Sequence, residues 1–464
     1  MTSRIPLPAL YLLLLLAASL AGRADDWPPV LDAKNTLTQA KDGRVVDRYT
    51  HGERPSWGYP DSYKGEWGYP KAQETGVLEQ NHNSFYVLQP KQPRENAPLF
   101  VVLHSANRTA YDYLGFEILG TKPDAVGLPG SAITNPPDDF YALYLNSTNK
   151  EWWGSSELRQ SPDYKKGINS PPPADRRVMD TIEWVVKRYH IDQNRIYLCG
   201  CSMGGCGTLG IGMPHGDVFA SILACVPAGT DYASARMGRF APSPAWNASE
   251  PERAAWMLRA AGVSLPDPPV TLDFSSEADT WSCTQPALLT AAQAGRLPLV
   301  LTWGMFGHVS SPNVIGSAPI CQVGLAYPWL EIRKNEAYPV FTHASCDQTS
   351  PWLNTPVEYD GAGQINGFFR WKSEQDTPSN LAMQIWIAHP NAPGAPMPQN
   401  ATADVTLRRL QQFKVRQGGT YTWQLTPNGK SALSGTVTPD AANLLTIPQL
   451  PLSTTPVELS MKAN

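Results

Sequence analysis

The chain has 464 residues, 42% of them hydrophobic and only 17% charged, with a formal net charge of −4. That length exceeds one ordinary compact domain and supplies enough apolar side chains for real cores. A nearly neutral balance shows no basic surplus, so nothing suggests a polyanion partner and no nucleic acid is expected.

Residues 1–24 read as an export signal. Arg4 precedes the apolar stretch Ile5–Leu20, and small residues at Ser19 and Ala21, or at Gly22 and Ala24, suit cleavage. The stretch is short for a membrane span and holds two prolines, so no membrane association is expected after cleavage. The mature chain is expected to be secreted or periplasmic, where disulfides are permitted. The cysteines number seven, so at least one has no intrachain partner.

Residues 25–80 form an irregular, aromatic segment. "SWGYP" at 56–60 and "EWGYP" at 66–70 repeat a Trp-Gly-Tyr-Pro unit, read as a loop that buries its aromatics on the main domain. From 81 to 340 strands and helices alternate. Apolar runs at 84–90, 99–104 and 140–146 read as strands, and the helical spacing of Val178, Ile182, Val185 and Val186 predicts a helix over 171–190. A strand at 195–200, a small-residue helix from Met203 to about Met213, and strands at 218–227, 268–276 and 297–303 follow. This alternation predicts an α/β fold, a doubly wound, mostly parallel sheet with helices on both faces. After about residue 340 the period changes to two, at 382–389 and 420–426, with an Asn-Gly hairpin signal in "TPNGK". Residues 345–464 are therefore expected to form an all-β sandwich accessory domain.

The chemistry centres on Gly200-Cys201-Ser202-Met203-Gly204, a G-x-S-x-G motif between a strand and a helix. A nucleophilic serine on such a turn projects its hydroxyl from the sheet edge, and bulky neighbours would clash, which accounts for the glycines. Chain order then calls for an acid and a histidine downstream. His308 follows the last strand of the α/β region on a glycine-flanked loop, the place where such sites are built. Asp279 lies deepest in the loop after the preceding strand, with Glu277 as the alternative acid. The oxyanion donors are expected to be the amide of Met203 and that of Ser105, or its neighbour Ala106, after the strand "VVLH". Trp152, Trp153 and His104 are candidate substrate-pocket residues. The tight Cys199-x-Cys201 spacing has no matching second pair, so no metal site and no cofactor is expected. Cys201 is placed for a bridge to Cys283, or for burial as a small apolar side chain.

The segment "IDQNRIYLCGCSMGGCGTLGIGMPHGDVFASILACVPAG" resembles the nucleophile region of secreted α/β-hydrolase esterases, feruloyl-esterase-like and polyhydroxybutyrate-depolymerase-like, and of prolyl-oligopeptidase-like catalytic domains. The resemblance covers about residues 84–325. It implies Ser202 as nucleophile, His308 as base and Asp279 as acid, with an ester of a small molecule, a plant polysaccharide or a polyester as substrate. The chain departs from those families in having His104-Ser105 where they have His-Gly. A peptidase with the same machinery is the alternative, although no propeller repeat precedes the catalytic region. A non-catalytic binding protein with a degenerate site is a further one.

Overall fold

A computed structural model describes residues 27–33, 43–59, 83–114, 135–148, 151–154, 171–227, 259–260, 263–264, 266–279, 281–282, 285–309, 311–349, 361–389, 394, 397–427 and 433–464. The expected export segment, the second Trp-Gly-Tyr-Pro copy, Cys283 and the Asn-Gly turn lie outside these residues.

The first strands are β1 (Val30–Leu31), β2 (Val46–Thr50), β3 (Ser84–Leu88), β4 (Leu99–Leu103), β5 (Tyr141–Leu145), β6 (Ile196–Cys201) and β7 (Ser221–Cys225). A small ladder of β8 (Arg259–Ala260) and β9 (Val263–Ser264) precedes β10 (Val270–Ser276) and β11 (Leu299–Gly304). Next come β12 (Tyr338–Thr342) and β13 (Gly363–Ile365). A ten-stranded sheet runs in the order β1-β2-β3-β5-β4-β6-β7-β10-β11-β13. Strands β5, β4, β6, β7, β10 and β11 are mutually parallel, while β1–β3 and the edge strand β13 pair antiparallel. This is the α/β-hydrolase fold.

Strands β4 and β5 are continuous hydrophobic runs because both faces of the sheet are covered there. Leu99, Val101 and Leu103 point into one core with Leu198, Ile222 and Ala224. Phe100 and Val102 point into the other with Cys199, Cys201 and Cys225. The cysteines thus share one face, as period-two alternation requires.

The helices are α1 (Ala110–Leu114), α2 (Pro173–Tyr189), α3 (Met203–Gly212), α4 (Gln285–Gly295), α5 (Pro312–Ile315) and α6 (Gln322–Leu325). Pro173 starts α2 at the first helical position, where its missing N–H costs nothing, and His190 ends it in the left-handed conformation. Val178, Ile182 and Val185 bury its apolar stripe. The first Trp-Gly-Tyr-Pro copy folds against the same helix: Trp57 is buried, and its Nε1 donates to Asp180 at 2.8 Å.

The remaining strands are β14 (Phe369–Asp376), β15 (Asn380–Ile387), β16 (Asn400–Arg408), β17 (Tyr421–Pro427), β18 (Leu433–Val437), β19 (Leu445–Ser453) and β20 (Val457–Ala463). They form sheets β12-β16-β19 and β14-β15-β20-β17-β18, the two layers of the sandwich. Strands cross the boundary expected at 340–345 in both directions. β12 pairs with β16, whereas β13 completes the edge of the central sheet against β11. The core holding Phe274 and Val300 runs on into Met383, Val405 and Leu459 of the sandwich. Arg408 and Arg409 reinforce the junction. Their guanidinium groups donate to Asp267 and to the carbonyls of Gly295, Arg296, Ala220, Arg333 and Glu336.

Candidate active site

Four loops meet at the carboxyl edge of the parallel strands, those that follow β4, β6, β10 and β11. Ser202 sits between β6 and α3 with φ 56° and ψ −118°, a region that side-chain-bearing residues rarely occupy. Glycines make the turn feasible. A Cβ on Gly204 would stand 2.0 Å from the Leu103 carbonyl oxygen, and one on Gly200 would stand 2.5 Å from the Gly204 backbone. The turn is further tied by the Ser202 amide, which donates to the Cys225 carbonyl at 2.9 Å. Met203 occupies the first position of α3, where a backbone N–H has no acceptor within the helix.

The structure brings Ser202, His308 and Asp279 together. His308 Nε2 lies 2.7 Å from Ser202 Oγ, and His308 Nδ1 lies 2.6 Å from Asp279 Oδ2. With the carboxylate accepting from Nδ1–H, Nε2 is left to accept from the serine hydroxyl. Asp279 is buried and held by its surroundings. Its Oδ1 accepts from the Trp281 amide at 3.0 Å, and its own amide donates to the Ser276 carbonyl. Gly307, at φ 69°, turns the His308 loop, and its amide donates to Ser276 Oγ at 2.7 Å.

Glu277 does not join this chain of bonds. Its Oε2 is buried without a hydrogen-bond partner, and burial pushes the carboxyl up to about 7. Asp273 points away into the sheet, where Ser275 and Gln285 donate to it and burial raises it to about 6.

The loop after β4 departs from expectation. The Ser105 amide donates to Tyr113 Oη at 3.2 Å, and its hydroxyl donates to the Cys201 carbonyl at 3.0 Å. An amide already engaged by a tyrosine from α1 is not free to face an oxyanion, so Ser105 braces the elbow instead. His104 is likewise not a pocket residue. It is 1% exposed, Ser147 N–H donates to its Nε2 at 2.9 Å, and its Nδ1–H therefore donates to the Ser105 carbonyl at 2.8 Å. It clamps the β4 loop to the β5 loop.

This clamp has a pH signature. Burial pushes the His104 imidazole down to about 4, so the folded chain binds fewer protons than the unfolded one between about pH 6.5 and 4. Stability supplied by the neutral ring is present above pH 6.5 and is lost as pH falls toward 4. His104→Gln is expected to shrink the loss of urea stability between pH 7 and pH 4.5 by about 2–3 kcal/mol relative to wild type. Equal losses in the two proteins would contradict this role.

The two tryptophans of "EWWGSS" part company. Trp152 and Trp153 both take left-handed backbone, φ 46° and 52°, followed by Gly154 at 93°. Trp153 is fully buried, packs on Gly207 of α3 and donates from Nε1 to the His104 carbonyl at 3.0 Å. It is a packing residue rather than a pocket wall. Trp152 is half-buried and meets Trp281, with ring centroids 5.6 Å apart. Nothing in the sequence sets Trp281, 41% exposed, apart from any other loop tryptophan.

Beneath this turn lies a buried charge pair. Arg177 of α2 donates from Nη2 to both carboxylate oxygens of Glu151 at 3.1 Å, and neither side chain is exposed. Ser147 Oγ donates to Glu151 Oε2 at 2.8 Å, the Tyr59 hydroxyl donates to Oε1, and Arg177 Nε donates to Tyr59 Oη at 3.0 Å.

Cys199, Cys201 and Cys225 lie in one apolar layer behind the elbow, and Cys206 is buried within α3. Cys201 and Cys225 occupy paired positions on β6 and β7 and hydrogen-bond to one another, and that bond, with burial, holds the Cys225 thiol well above its usual range. The bridge expected between Cys201 and Cys283 falls on a residue outside those described.

No protein-family model and no curated protein sequence matches the chain. Among solved structures, the chain is similar to a Staphylococcus aureus fluorophosphonate-binding serine hydrolase at 12% identity, over 48% of this chain and 85% of that one, with a TM-score of 0.32. An S-formylglutathione hydrolase from Agrobacterium tumefaciens matches at 13% identity over 65% of this chain and 99% of that one, with a TM-score of 0.36. An acetyl xylan esterase from Aspergillus awamori matches at 16% identity over 43% and 68%, with a TM-score of 0.31. The α/β-hydrolase fold assigned to this chain stands on its own strand order. Among the described residues, no helix is long and apolar enough to cross a membrane.

Proposed function

We propose that the chain is a secreted serine hydrolase that cleaves carboxylic esters, with polysaccharide and polyester esters as the substrates to examine first. The observation that carries this reading is the continuous hydrogen-bonded path from Ser202 Oγ through His308 to Asp279. His308 Nε2 takes the hydroxyl proton as Ser202 Oγ attacks the ester carbonyl carbon. The amide of Met203, and that of Ala106 in place of Ser105, donate to the oxygen that gains charge. His308 then gives its proton to the departing alkoxide, and an acyl group remains on Ser202. Water, activated by the same imidazole, releases the acid. Asp279 holds the Nδ1–H tautomer and stabilises the imidazolium as it forms.

The test is a substrate panel at pH 7–8. Short-chain, acetyl-polysaccharide, feruloyl and hydroxybutyrate esters are compared with peptide anilides. Turnover of at least one ester class, with anilides far slower, is the expected result. Faster anilide cleavage would replace the esterase reading with the peptidase one.

A further inference from the structure

Trp281 is a large indole left 41% exposed two residues beyond the carboxylate that bonds His308. Its position is set by its own backbone, since its amide is fixed on Asp279 Oδ1 at 3.0 Å. Its neighbour Trp152 comes from a separate loop and tilts against it at an interplanar angle of 50°. Trp152 in turn stands on a left-handed turn whose next residue, Trp153, is packed on α3 behind Ser202. Two rings from two anchored loops therefore form one apolar corner, Trp281 on the loop that carries Asp279 and Trp152 next to the tryptophan that packs on the elbow helix. Indole rings present a wide face at small cost in side-chain freedom.

We propose that Trp281, backed by Trp152, is a specificity-determining residue that receives a flat ring of the ester, either an aryl ring or the apolar C–H face of a pyranose. This rests on the esterase reading above. The ring lies against the indole face while the ester carbonyl reaches Ser202, so ring-bearing substrates gain in kcat/KM over straight-chain ones.

The experiment compares methyl 3-phenylpropenoate, an acetylated methyl pyranoside and methyl butyrate in wild type, Trp281→Ala and Trp281→Phe. In Trp281→Ala the ratio of kcat/KM for a ring-bearing ester to that for methyl butyrate is expected to fall about ten-fold, and Trp281→Phe is expected to keep most of it. The ring ester whose ratio falls identifies the source of the ring. Ratios unchanged for both, or equal falls for all three esters, would overturn the proposal. A second readout needs no turnover. In Ser202→Ala, 3-phenylpropenoate or the methyl pyranoside is expected to quench tryptophan fluorescence saturably, and adding Trp281→Phe is expected to weaken that quench. Active wild-type enzyme with no quench by either compound would overturn the ring site and leave ester hydrolysis standing. A wild type that hydrolyses no ester would overturn the esterase reading, and this specificity role with it.

Discussion

Ser202→Ala is expected to lower kcat on the best ester by on the order of 10⁴–10⁶-fold. At 1.36 kcal/mol per decade, that is roughly 5–8 kcal/mol of transition-state stabilisation. A loss this large follows if the serine, its base and the acid act as one unit, because without the hydroxyl His308 has no nucleophile to activate. Some rate over water is expected to survive, supplied by the oxyanion donors and by substrate binding. The same position carries a second, independent effect. With φ 56° and ψ −118°, Ser202 is held where only glycine is comfortable. Ser202→Gly is therefore expected to be as inactive as the alanine variant yet more stable than wild type by about 1 kcal/mol. Activity loss alone is ambiguous, whereas activity loss with a stability gain separates a strained functional residue from a structural one. Urea unfolding of the three proteins checks the second half. A Ser202→Gly variant less stable than wild type would contradict the strain argument.

Glu151→Ala is expected to destabilise the fold by about 3–5 kcal/mol, because it leaves the Arg177 guanidinium buried without its carboxylate. The consequence reaches the site. Ser147 loses a partner on Glu151, and Ser147 also donates from its amide to His104 and receives the Trp153 amide on its hydroxyl. Both the turn that presents Trp152 and the loop after β4 hang on this ion pair. Replacing both partners together, as Glu151→Met with Arg177→Met, is expected to recover most of the lost stability, since no unpaired charge then remains. Urea midpoints of the single and double variants decide it. A single variant within about 1 kcal/mol of wild type would show that the pair is not structural.

The turn around Ser202 was the most legible part of the sequence. Closely spaced glycines between a β-rich run and a small-residue helix have few explanations other than the close approach seen at Gly204 and Leu103. His308 and Asp279 could be placed because chain order and strand ends restrict the choices. Side-chain satisfaction was not legible. His104 ends a strand at the site's edge and so looks like a pocket residue, but its two nitrogens are claimed by Ser105 and Ser147, which only the folded loops bring near. The engagement of the Ser105 amide was hidden for the same kind of reason, a tyrosine eight residues along that returns to accept from it. Nor does the pattern of "EWWGSS" say which tryptophan turns inward, because that depends on successive left-handed residues with no β-turn signature. The interleaving of the sandwich with the central sheet escaped because β13 is only three residues long and its partner β11 is distant in sequence.

The central claim is that an acyl group passes through Ser202 Oγ. Rapid acid quench of the enzyme turning over a slow aryl ester, followed by proteolysis and fragmentation of the peptide spanning 196–213, tests it directly. The expected result is a stoichiometric acyl mass on Ser202 that is absent from Ser202→Ala. An acyl mass on neighbouring Cys201, or steady turnover by Ser202→Ala at the wild-type rate, would contradict it.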